Sequence, residues 1–184
     1  MEQRDRDEVL VQFANRSCSV LVASDVAARG LDVEDLAAVV NYELPSDVDT
    51  YLHRIGRTGR AGRDGLALSL CAPREIARAN AIEARLGQPL RWEALQPLSG
   101  KAHGVPAPAM ATLRIDGGRS DKLRAGDIVG ALTGEAGLHK DAIGRIDVFA
   151  TRSYVAIARK HATAALSALR AGRIKGRRFR VNRL

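Results

Sequence analysis

The chain has 184 residues, of which 46% are apolar and 27% charged, and its 29 Lys and Arg against 21 Asp and Glu give a formal net charge of +8. This length suits one large domain or two small ones, and the composition argues against a disordered chain. An aromatic content of 4% argues against a protein that stacks many bases on aromatic side chains. No apolar run approaches the ~18 residues that span a bilayer, and no leader-like segment opens the chain, so we expect a cytoplasmic protein.

The positive charge lies in the second part of the chain. Residues 1–109 hold 13 Lys and Arg and 15 Asp and Glu, for a net charge of −2, whereas residues 110–184 hold 16 and 6, for a net charge of +10. Residues 97–109 are rich in Pro, Gly and small side chains, which is typical of a linker. We therefore expect a near-neutral unit over residues 1–96, a linker over 97–109 and a strongly basic unit over 110–184.

Strands and helices alternate in the first unit. Its predicted strands are apolar throughout, which is typical of a parallel sheet covered by helices on both faces. In such a sheet the ligand site lies at the carboxyl ends of the strands. Asp47 is a candidate N-cap and Gly87 follows the last helix. The predicted strands are 19–23, 37–44 and 65–71, and the predicted helices are 2–15, 47–58 and 74–86.

The two cysteines, Cys18 and Cys71, each lie inside an apolar run, which predicts reduced and buried thiols. A metal site would need companion Cys or His residues at close spacing. The sequence offers none, so we expect no metal site.

The residues after the predicted strands carry the strongest functional signal. The segment SDVAARGLD covers residues 24–32, and HRIGRTGRAGRDG covers residues 53–65, where arginine recurs every third residue with glycine in step. Glycine lets a ligand approach the backbone closely, and the arginine fork matches phosphate oxygens. A solvated basic turn is the alternative reading, and spacing alone leaves both open.

These two segments resemble motifs V and VI of the DEAD-box RNA helicases, and HRIGRTGR at residues 53–60 matches motif VI letter for letter. The Gln3–Arg6 pair, followed by VLVQF, resembles motif IVa. His53 and the ARGLD string at residues 28–32 favour the DEAD-box branch over the DEAH branch. Ser24 departs from the frequent Thr of the family but keeps the hydroxyl. The resemblance implies that residues 1–96 form part of the second RecA-like lobe of a helicase.

The resemblance also implies roles for the matching residues. Arg57 and Arg60 would be arginine fingers that reach the ATP γ-phosphate, and His53 would couple the nucleotide and RNA sites. Gly30 and Asp32 would lie by the ATP ribose. The residues expected along the RNA backbone are Arg6, Ser24, Asp25 and Arg29, although an internal salt bridge that shapes the loop is an alternative for the last two.

Neither a GxxxxGK[ST] phosphate loop nor an Asp-Glu-Ala-Asp string occurs in the chain. In the family that the chain resembles, both belong to the first lobe. We therefore expect a carboxyl-terminal fragment of a longer helicase, whose ATP and Mg²⁺ are held mainly by the first lobe, and we expect no RNA-stimulated ATPase activity from this chain alone. The sheet of the partial lobe would also lack an edge partner, which is an aggregation hazard.

The basic unit has the predicted order βαββαβ, which is that of a small α+β domain of the RNA-recognition-motif type. Tyr154 is the aromatic residue on its third strand, and plain packing competes with base stacking as its role. The predicted strands are 111–116, 145–150, 153–158 and 178–183, and the predicted helices are 125–133 and 161–171.

Basic residues crowd the end of this unit, where six of them fall within residues 170–180. Such a run is often a solvated face, but a net charge of +10 attracts polyanions, and charge alone leaves DNA open as a partner. The candidate RNA contacts are Arg114, Lys140, Arg145, Arg152, Lys175, Arg177 and Arg178.

The segment from residue 110 to residue 138, together with IGRIDVF, YVAIA and GRIKGRRFRV, resembles the RNA-binding domain of the DbpA-type bacterial helicases. This resemblance implies that the domain binds a hairpin of large-subunit ribosomal RNA while the helicase remodels RNA during ribosome assembly. Two alternatives stay open. One is a non-enzymatic module that tethers RNA, and the other is a DEAD-box helicase of mRNA turnover or cold response.

Overall fold

The computed structural model describes residues 2–28, 33, 36–59, 62, 64–94, 104–134 and 137–184. The chain divides into two compact units, one formed by Met1–Leu31 with His103–Leu184 and the other by Asp32–Ala102. The predicted division into 1–96, 97–109 and 110–184 stays a prediction. In chain order the elements are α1 (Gln3–Ala14), α2 (Asp25–Ala28), β1 (Ala38–Asn41), α3 (Val48–Ile55), β2 (Leu66–Ser69), α4 (Ile76–Leu86), β3 (Met110–Ile115), α5 (Ala125–Thr133), β4 (Ile143–Val148), β5 (Ser153–Ala158), α6 (Ala162–Ala171) and β6 (Val181–Arg183).

In the unit Asp32–Ala102, β1 and β2 form a parallel pair in which Ala38 lies beside Leu66 and Asn41 beside Ser69. A parallel pair needs a crossover between its strands, and α3 lies in that connection. The small core combines buried and half-buried apolar side chains of α3 and α4 with their neighbours. Its members are Leu44, Tyr51, Ala79 and Ile82, packed against Val48, Leu52, Ile55, Cys71, Leu86 and Leu90.

The predicted start of α3 and the predicted end of α4 are confirmed, whereas α3 ends at Ile55 and not at residue 58. Asp47 is the N-cap of α3, since its Oδ2 accepts hydrogen bonds from the Thr50 amide at 2.8 Å and the Thr50 hydroxyl at 2.9 Å. These bonds lower the pKa of Asp47, with the amide bond as the main cause. Gly87 ends α4 in the left-handed conformation, at φ 67°, where glycine carries no Cβ penalty.

The prediction of a buried strand at residues 19–23 is wrong. These residues form no strand, and Val20 and Val22 are 54% and 93% exposed. The hydrogen bonds of this region go to other partners: the Cys18 amide donates to the Gln12 carbonyl at 3.1 Å, and the Ser19 hydroxyl donates to the Pro106 carbonyl at 2.7 Å. An apolar β-branched run becomes a strand only where a neighbouring strand offers a ladder, and residues 19–23 pair with none in the described chain.

The second sheet is antiparallel, with strand order β4-β5-β3-β6. The predicted βαββαβ order and RRM-like fold are confirmed, while three strand positions differ: β3 begins and ends one residue earlier than the predicted 111–116. Strand β4 is shifted towards the amino terminus and carries a register irregularity between Ile143 and Ile146, and β6 begins at Val181 because a tight turn precedes it.

Helices α5 and α6 pack on one face of this sheet. The core between them contains inward-facing residues of β3 and β5, of which Leu113, Ile115, Val155 and Ile157 have no exposed surface. Burying each of these side chains contributes roughly 1.5–3 kcal/mol. Because side chains alternate along a strand, Thr112, Arg114 and Tyr154 point to the opposite face; Arg114 and Tyr154 are direct register partners.

Both cysteines are free and half buried, so the predicted full burial is not found. No helix in the described part of the chain is long and apolar enough to cross a membrane.

Candidate nucleotide and RNA sites

The motif VI segment begins in the last turn of α3. His53 is exposed there, and Arg57 follows the helix and is half buried. The Arg57 carbonyl accepts a hydrogen bond from the Leu36 amide at 3.0 Å, and Thr58 forms a parallel bridge with Leu36 and donates its hydroxyl to the Leu36 carbonyl. This bridge fixes the backbone that carries Arg57 to the segment preceding β1.

The backbone conformation explains why glycine occurs at several positions of this segment. Gly59 and Gly62 adopt left-handed backbone angles, at φ 65° and 74°, which favour glycine. Gly65 lies so close to Thr58 and Gly59 that a Cβ atom would collide with them. The described residues at the two ends of this segment therefore approach each other closely beside Thr58, and a guanidinium group such as that of Arg57 matches phosphate oxygens.

Arg54 has a structural role in this segment. Its Nη1 donates to Asn41 Oδ1 at 3.0 Å and to the Glu43 carbonyl at 3.1 Å. Asn41 is buried at the end of β1, and its Nδ2 donates to Ser69 Oγ at 3.2 Å. The first arginine of the repeat thus ties α3 to the parallel strand pair.

Four predicted site residues, Gly30, Asp32, Arg29 and Arg60, lie outside the described residues, and their roles stay predictions. The described part of the chain contains no group of three or more His, Cys, Asp or Glu residues placed to hold a metal ion.

Two of the predicted RNA-backbone segments lie in the unit Met1–Leu31 with His103–Leu184. Arg6 on α1 donates through Nη2 to the Val26 carbonyl at 3.3 Å, which joins the motif IVa helix to the motif V segment. Ser24 is exposed just before α2, and Asp25 begins that helix. The structure therefore places Arg6 beside the segment of Ser24 and Asp25, and the RNA contacts expected of these residues stay predictions.

Helix α1 reaches the face of the antiparallel sheet opposite α5 and α6. Asn15 Nδ2 donates to Thr112 Oγ1 at 2.8 Å, and the Ser17 and Thr112 hydroxyls share a hydrogen bond of 2.6 Å. Thr112 is 1% exposed and Asn15 4% exposed. The face on which RNA-recognition motifs stack bases is thus covered in part by a segment of the same chain.

A single carboxylate lies at the centre of this contact. Glu8 Oε1 is 3.2 Å from Arg114 Nη1, 3.2 Å from Arg152 Nη1 and 3.1 Å from the Tyr154 hydroxyl. Asp116 Oδ1 lies 3.2 Å from Arg114 Nε and 4.0 Å from Arg152 Nε. The two guanidinium groups are balanced by two carboxylates, and we call these five residues the Glu8 cluster.

The Glu8 cluster is largely shielded from solvent. The exposed side-chain fractions are 16% for Glu8, 18% for Arg114 and 22% for Arg152. Burial raises the pKa of Tyr154, and the negative charge of Glu8 raises it further, whereas Arg152 lowers it. Arg114 and Arg152, both predicted RNA contacts, therefore already have internal partners in this structure.

Three other predicted contacts lie on the turn between α6 and β6. Ile174 and Arg177 exchange two backbone hydrogen bonds, of 2.8 and 3.1 Å. Between them Lys175 and Gly176 are both left-handed, at φ 53° and 76°, as in a two-residue type I′ turn. Arg177 and Arg178 are exposed. We call residues 174–178 the basic turn.

Lys175 is tied to the body of the domain. Its Nζ donates to the Lys122 carbonyl at 2.8 Å and lies 3.6 Å from Asp127 Oδ2. A shallow groove runs beside it along the glycine face of α5. The groove is lined by Gly126, Asp127, Gly130, Ala131, Gly134, Arg173, Lys175 and Gly176.

The remaining predicted contacts lie around β4. Lys140 is exposed in the short helical turn before β4. Arg145 is in β4, and its Nε donates to both carboxylate oxygens of Asp147 at 2.9 and 3.0 Å. The structure thus brings Arg114 together with Arg152, and Lys175 with Arg177 and Arg178.

Sequence reasoning missed Glu8 and Asp116. Glu8 lies 106 residues from Arg114 and 144 from Arg152 along the chain, so no local pattern could connect them. Asp116 had a weak signal, since an acidic residue follows Arg114 by two positions in a strand pattern that places both on one face.

Two family descriptions match the chain. "Helicase conserved C-terminal domain" matches residues 1–62, and "DbpA RNA binding domain" matches residues 112–183. Together with the motif VI segment on a parallel α/β unit and the βαββαβ domain, these matches show that the chain is similar to the DEAD-box RNA helicase family.

Among the proteins of that family, DbpA is similar to the chain along the whole length of the chain. It is 50% identical to the ATP-dependent RNA helicase DbpA of Escherichia coli (strain K12) and covers 40% of that protein. It is 32% identical to DbpA of Bacillus subtilis (strain 168) and covers 42% of that protein. The chain thus spans about two fifths of the length of these relatives.

Among solved structures, the E. coli DEAD-box protein SrmB, bound to regulator of ribonuclease activity A, is 40% identical over 52% of this chain and 56% of that chain, with a TM-score of 0.48.

Proposed function

We propose that the chain is part of an ATP-dependent RNA helicase of the cytoplasm that binds a hairpin of large-subunit ribosomal RNA and remodels RNA during ribosome assembly. The observation that carries this proposal is the similarity to DbpA over the whole chain, at 50% identity to the E. coli protein. The two family matches lie on different parts of the chain, which supports a division of labour between a nucleotide side and an RNA side.

On the nucleotide side, Arg57 and Arg60 would face the ATP γ-phosphate. Gly30 and Asp32 would lie by the ribose, and His53 would couple the nucleotide site to the RNA site. ATP would supply the phosphoanhydride bond that is broken, and a preceding lobe would hold the ATP together with Mg²⁺. The contribution of this chain is electrostatic, because guanidinium groups stabilise the charge that develops on the transferred phosphoryl group. The half-buried position of Arg57 is compatible with this role.

On the RNA side, the basic turn is the strongest candidate. Arg177 and Arg178 are exposed, they belong to a segment with a net charge of +10, and a groove with a glycine lining lies beside Lys175. Glycine allows a sugar–phosphate backbone to approach closely, and arginine binds phosphate with two parallel hydrogen bonds.

The RNA assignment is tested by comparing the affinity of the 184-residue chain for the ribosomal hairpin and for a shuffled hairpin of equal length. Both are measured at the same salt concentration, because phosphate contacts make affinity salt-dependent. We expect tighter binding of the ribosomal hairpin. Equal affinity would remove the ribosomal assignment and leave general RNA binding in place.

A matched pair of variants tests the role of the basic turn. Replacing Arg177 and Arg178 by Gln should weaken hairpin binding and reduce its salt dependence, because phosphate contacts are lost. Replacing the exposed Arg74 and Arg85 by Gln removes the same charge elsewhere and serves as control. Equal losses from the two pairs would indicate that net charge, and not the turn, governs binding.

The enzymatic assignment is tested in the complete helicase. Arg57→Lys should lower RNA-stimulated ATP turnover by about a thousandfold, as for other arginine fingers, while hairpin affinity stays unchanged. Loss of hairpin affinity would contradict the division of labour. The 184-residue chain alone should show no turnover, and measurable ATP hydrolysis by it would contradict the need for a preceding lobe.

A further inference from the structure

We propose that α1 competes with RNA for the open face of the antiparallel sheet, and that the Glu8 carboxylate occupies the position of an RNA phosphate. This inference rests on the proposed RNA-binding function. It adds a regulatory contact inside the chain: RNA that reaches Arg114 and Arg152 must first displace α1.

The chemistry of the Glu8 cluster is that of an anion site. Two guanidinium groups converge on Glu8 Oε1, each with its Nη1 at 3.2 Å, and the Tyr154 hydroxyl approaches the same oxygen at 3.1 Å. A phosphate oxygen accepts the same charge-assisted hydrogen bonds as a carboxylate oxygen. The Glu8 cluster is therefore built to bind an anion at one position, and α1 supplies that anion as the Glu8 carboxylate.

The positions of these donors fit an approaching strand of nucleic acid. Arg114 lies on β3 directly beside Tyr154 on β5, so both side chains point away from the core. Arg152 lies in the turn between β4 and β5, directly before Ser153. With α1 absent, two guanidinium groups and an aromatic ring would face solvent on the open face, which is the arrangement that binds single-stranded nucleic acid.

The contact between the α1 segment and the sheet contains several polar pairs. Asn15 and Ser17 hydrogen-bond to Thr112, and Val11 is the buried residue among those of α1. Each such hydrogen bond adds only modestly to the net stability of the contact, because water or another polar ligand can replace the partner. Ribose hydroxyls and phosphates offer those replacements, so RNA can take over the polar contacts when the helix leaves the sheet.

The test uses the 184-residue chain and a fluorescein-labelled single-stranded RNA of mixed sequence, with affinity measured by anisotropy. Glu8→Ala removes the α1 carboxylate from Arg114 and Arg152, which keep Asp116 as a neighbour, and it leaves a strong helix former in α1. We expect it to tighten RNA binding about fivefold or more, within the usual range of coupling between sites. Asp5→Ala removes an equal charge from an exposed position of the same helix and should change affinity by less than about twofold. Adding Arg152→Gln to Glu8→Ala should abolish the gain.

Hydrogen exchange on the unmodified chain gives a second readout. Addition of the RNA should lower the protection of the amides in residues 3–14, because α1 leaves the sheet, and circular dichroism checks that each variant retains its helices. RNA binding with unchanged α1 protection, and equal affinities for Glu8→Ala and Asp5→Ala, would overturn the inference and leave the proposed function intact. Failure of both the unmodified chain and Glu8→Ala to bind any RNA would instead overturn the proposed RNA-binding function.

Discussion

Tyr154 donates its hydroxyl proton to Glu8 across 146 residues of chain, with Oη 3.1 Å from Oε1. The tyrosine is 4% exposed, and its ring packs edge-on against Phe149 with centroids 5.6 Å apart. Of the two roles that the sequence left open for Tyr154, packing is the one found while α1 is in place. Because of this hydrogen bond, the ionisation of Tyr154 can be used to measure whether α1 lies on the sheet.

The pKa of Tyr154 should respond to the charges around it. Burial raises this pKa above its ordinary value of 10.0, Glu8 adds to the rise and Arg152 opposes it. Glu8→Gln should therefore lower the pKa of Tyr154, and Arg152→Gln should raise it. Ultraviolet absorbance of tyrosinate during alkaline titration measures both shifts. A downward shift in both variants would point to loss of burial as the cause.

The raised pKa also predicts a loss of stability at alkaline pH. Because the folded-state pKa of Tyr154 lies above its unfolded value of 10.0, the unfolded chain loses this proton first. The contribution of Tyr154 is complete below that value and is lost as pH rises through the folded-state pKa. Urea unfolding along an alkaline series should show a smaller decline for Tyr154→Phe, which cannot ionise.

The lowered pKa of Asp47 predicts a loss of stability at acid pH. Its pKa is lowered mainly by the hydrogen bond from the Thr50 amide, so its stabilising effect is present above its unfolded value and is lost as pH falls through the folded-state pKa. Asp47→Asn keeps the N-cap acceptor and should flatten this acid dependence of the helical circular dichroism signal, whereas Asp47→Ala should weaken α3 at neutral pH as well. Identical behaviour of the two variants would contradict a capping role.

Replacing two glycines of the basic unit, residues 110–184, by alanine should change the free energy of unfolding in opposite directions. Gly176 is left-handed at φ 76° with open space around it, so Gly176→Ala should cost roughly 1–2 kcal/mol of unfolding free energy by conformation alone. Gly130 lies inside α5, also in open space, and Gly130→Ala should stabilise by about 0.5–1 kcal/mol. Denaturant unfolding measures both, and equal signs would show that the basic turn is not the type I′ turn described.

The basic domain could be predicted largely from its sequence because its pattern is local. The apolar run SYVAIA placed Ser153–Ala158 correctly, and spacing at i, i+3, i+4 and i+7 placed α6 within one residue of its start. Each of these elements is stabilised by contacts with its own neighbours in the βαββαβ order. The periodicity of the sequence and the packing of the domain therefore agree.

The prediction failed where the outcome depended on distant residues. The run at residues 19–23 has strand composition but no strand beside it in the described chain, so its valines stay exposed. Likewise, the arginines that were predicted to bind RNA because of their charge are either exposed or paired inside the chain. A count of charges cannot distinguish these two groups. Arg177 is exposed, whereas Arg114 is held by a carboxylate 106 residues away.

The parallel strand pair should be the site at which this chain self-associates. Val40 is 62% exposed, and Leu66 and Leu68 are 51% and 49% exposed, on strands whose register places Val40 beside Leu68. Exposed apolar side chains on a short sheet with open backbone groups favour pairing between chains. Replacing both leucines by Thr, which keeps strand propensity, should lower the aggregation seen by light scattering at rising concentration. The control replaces Val22 and Val105, which are 93% and 69% exposed outside any strand, by Thr. If the control pair suppresses aggregation equally, exposed apolar area in general, and not the strand pair, drives the association.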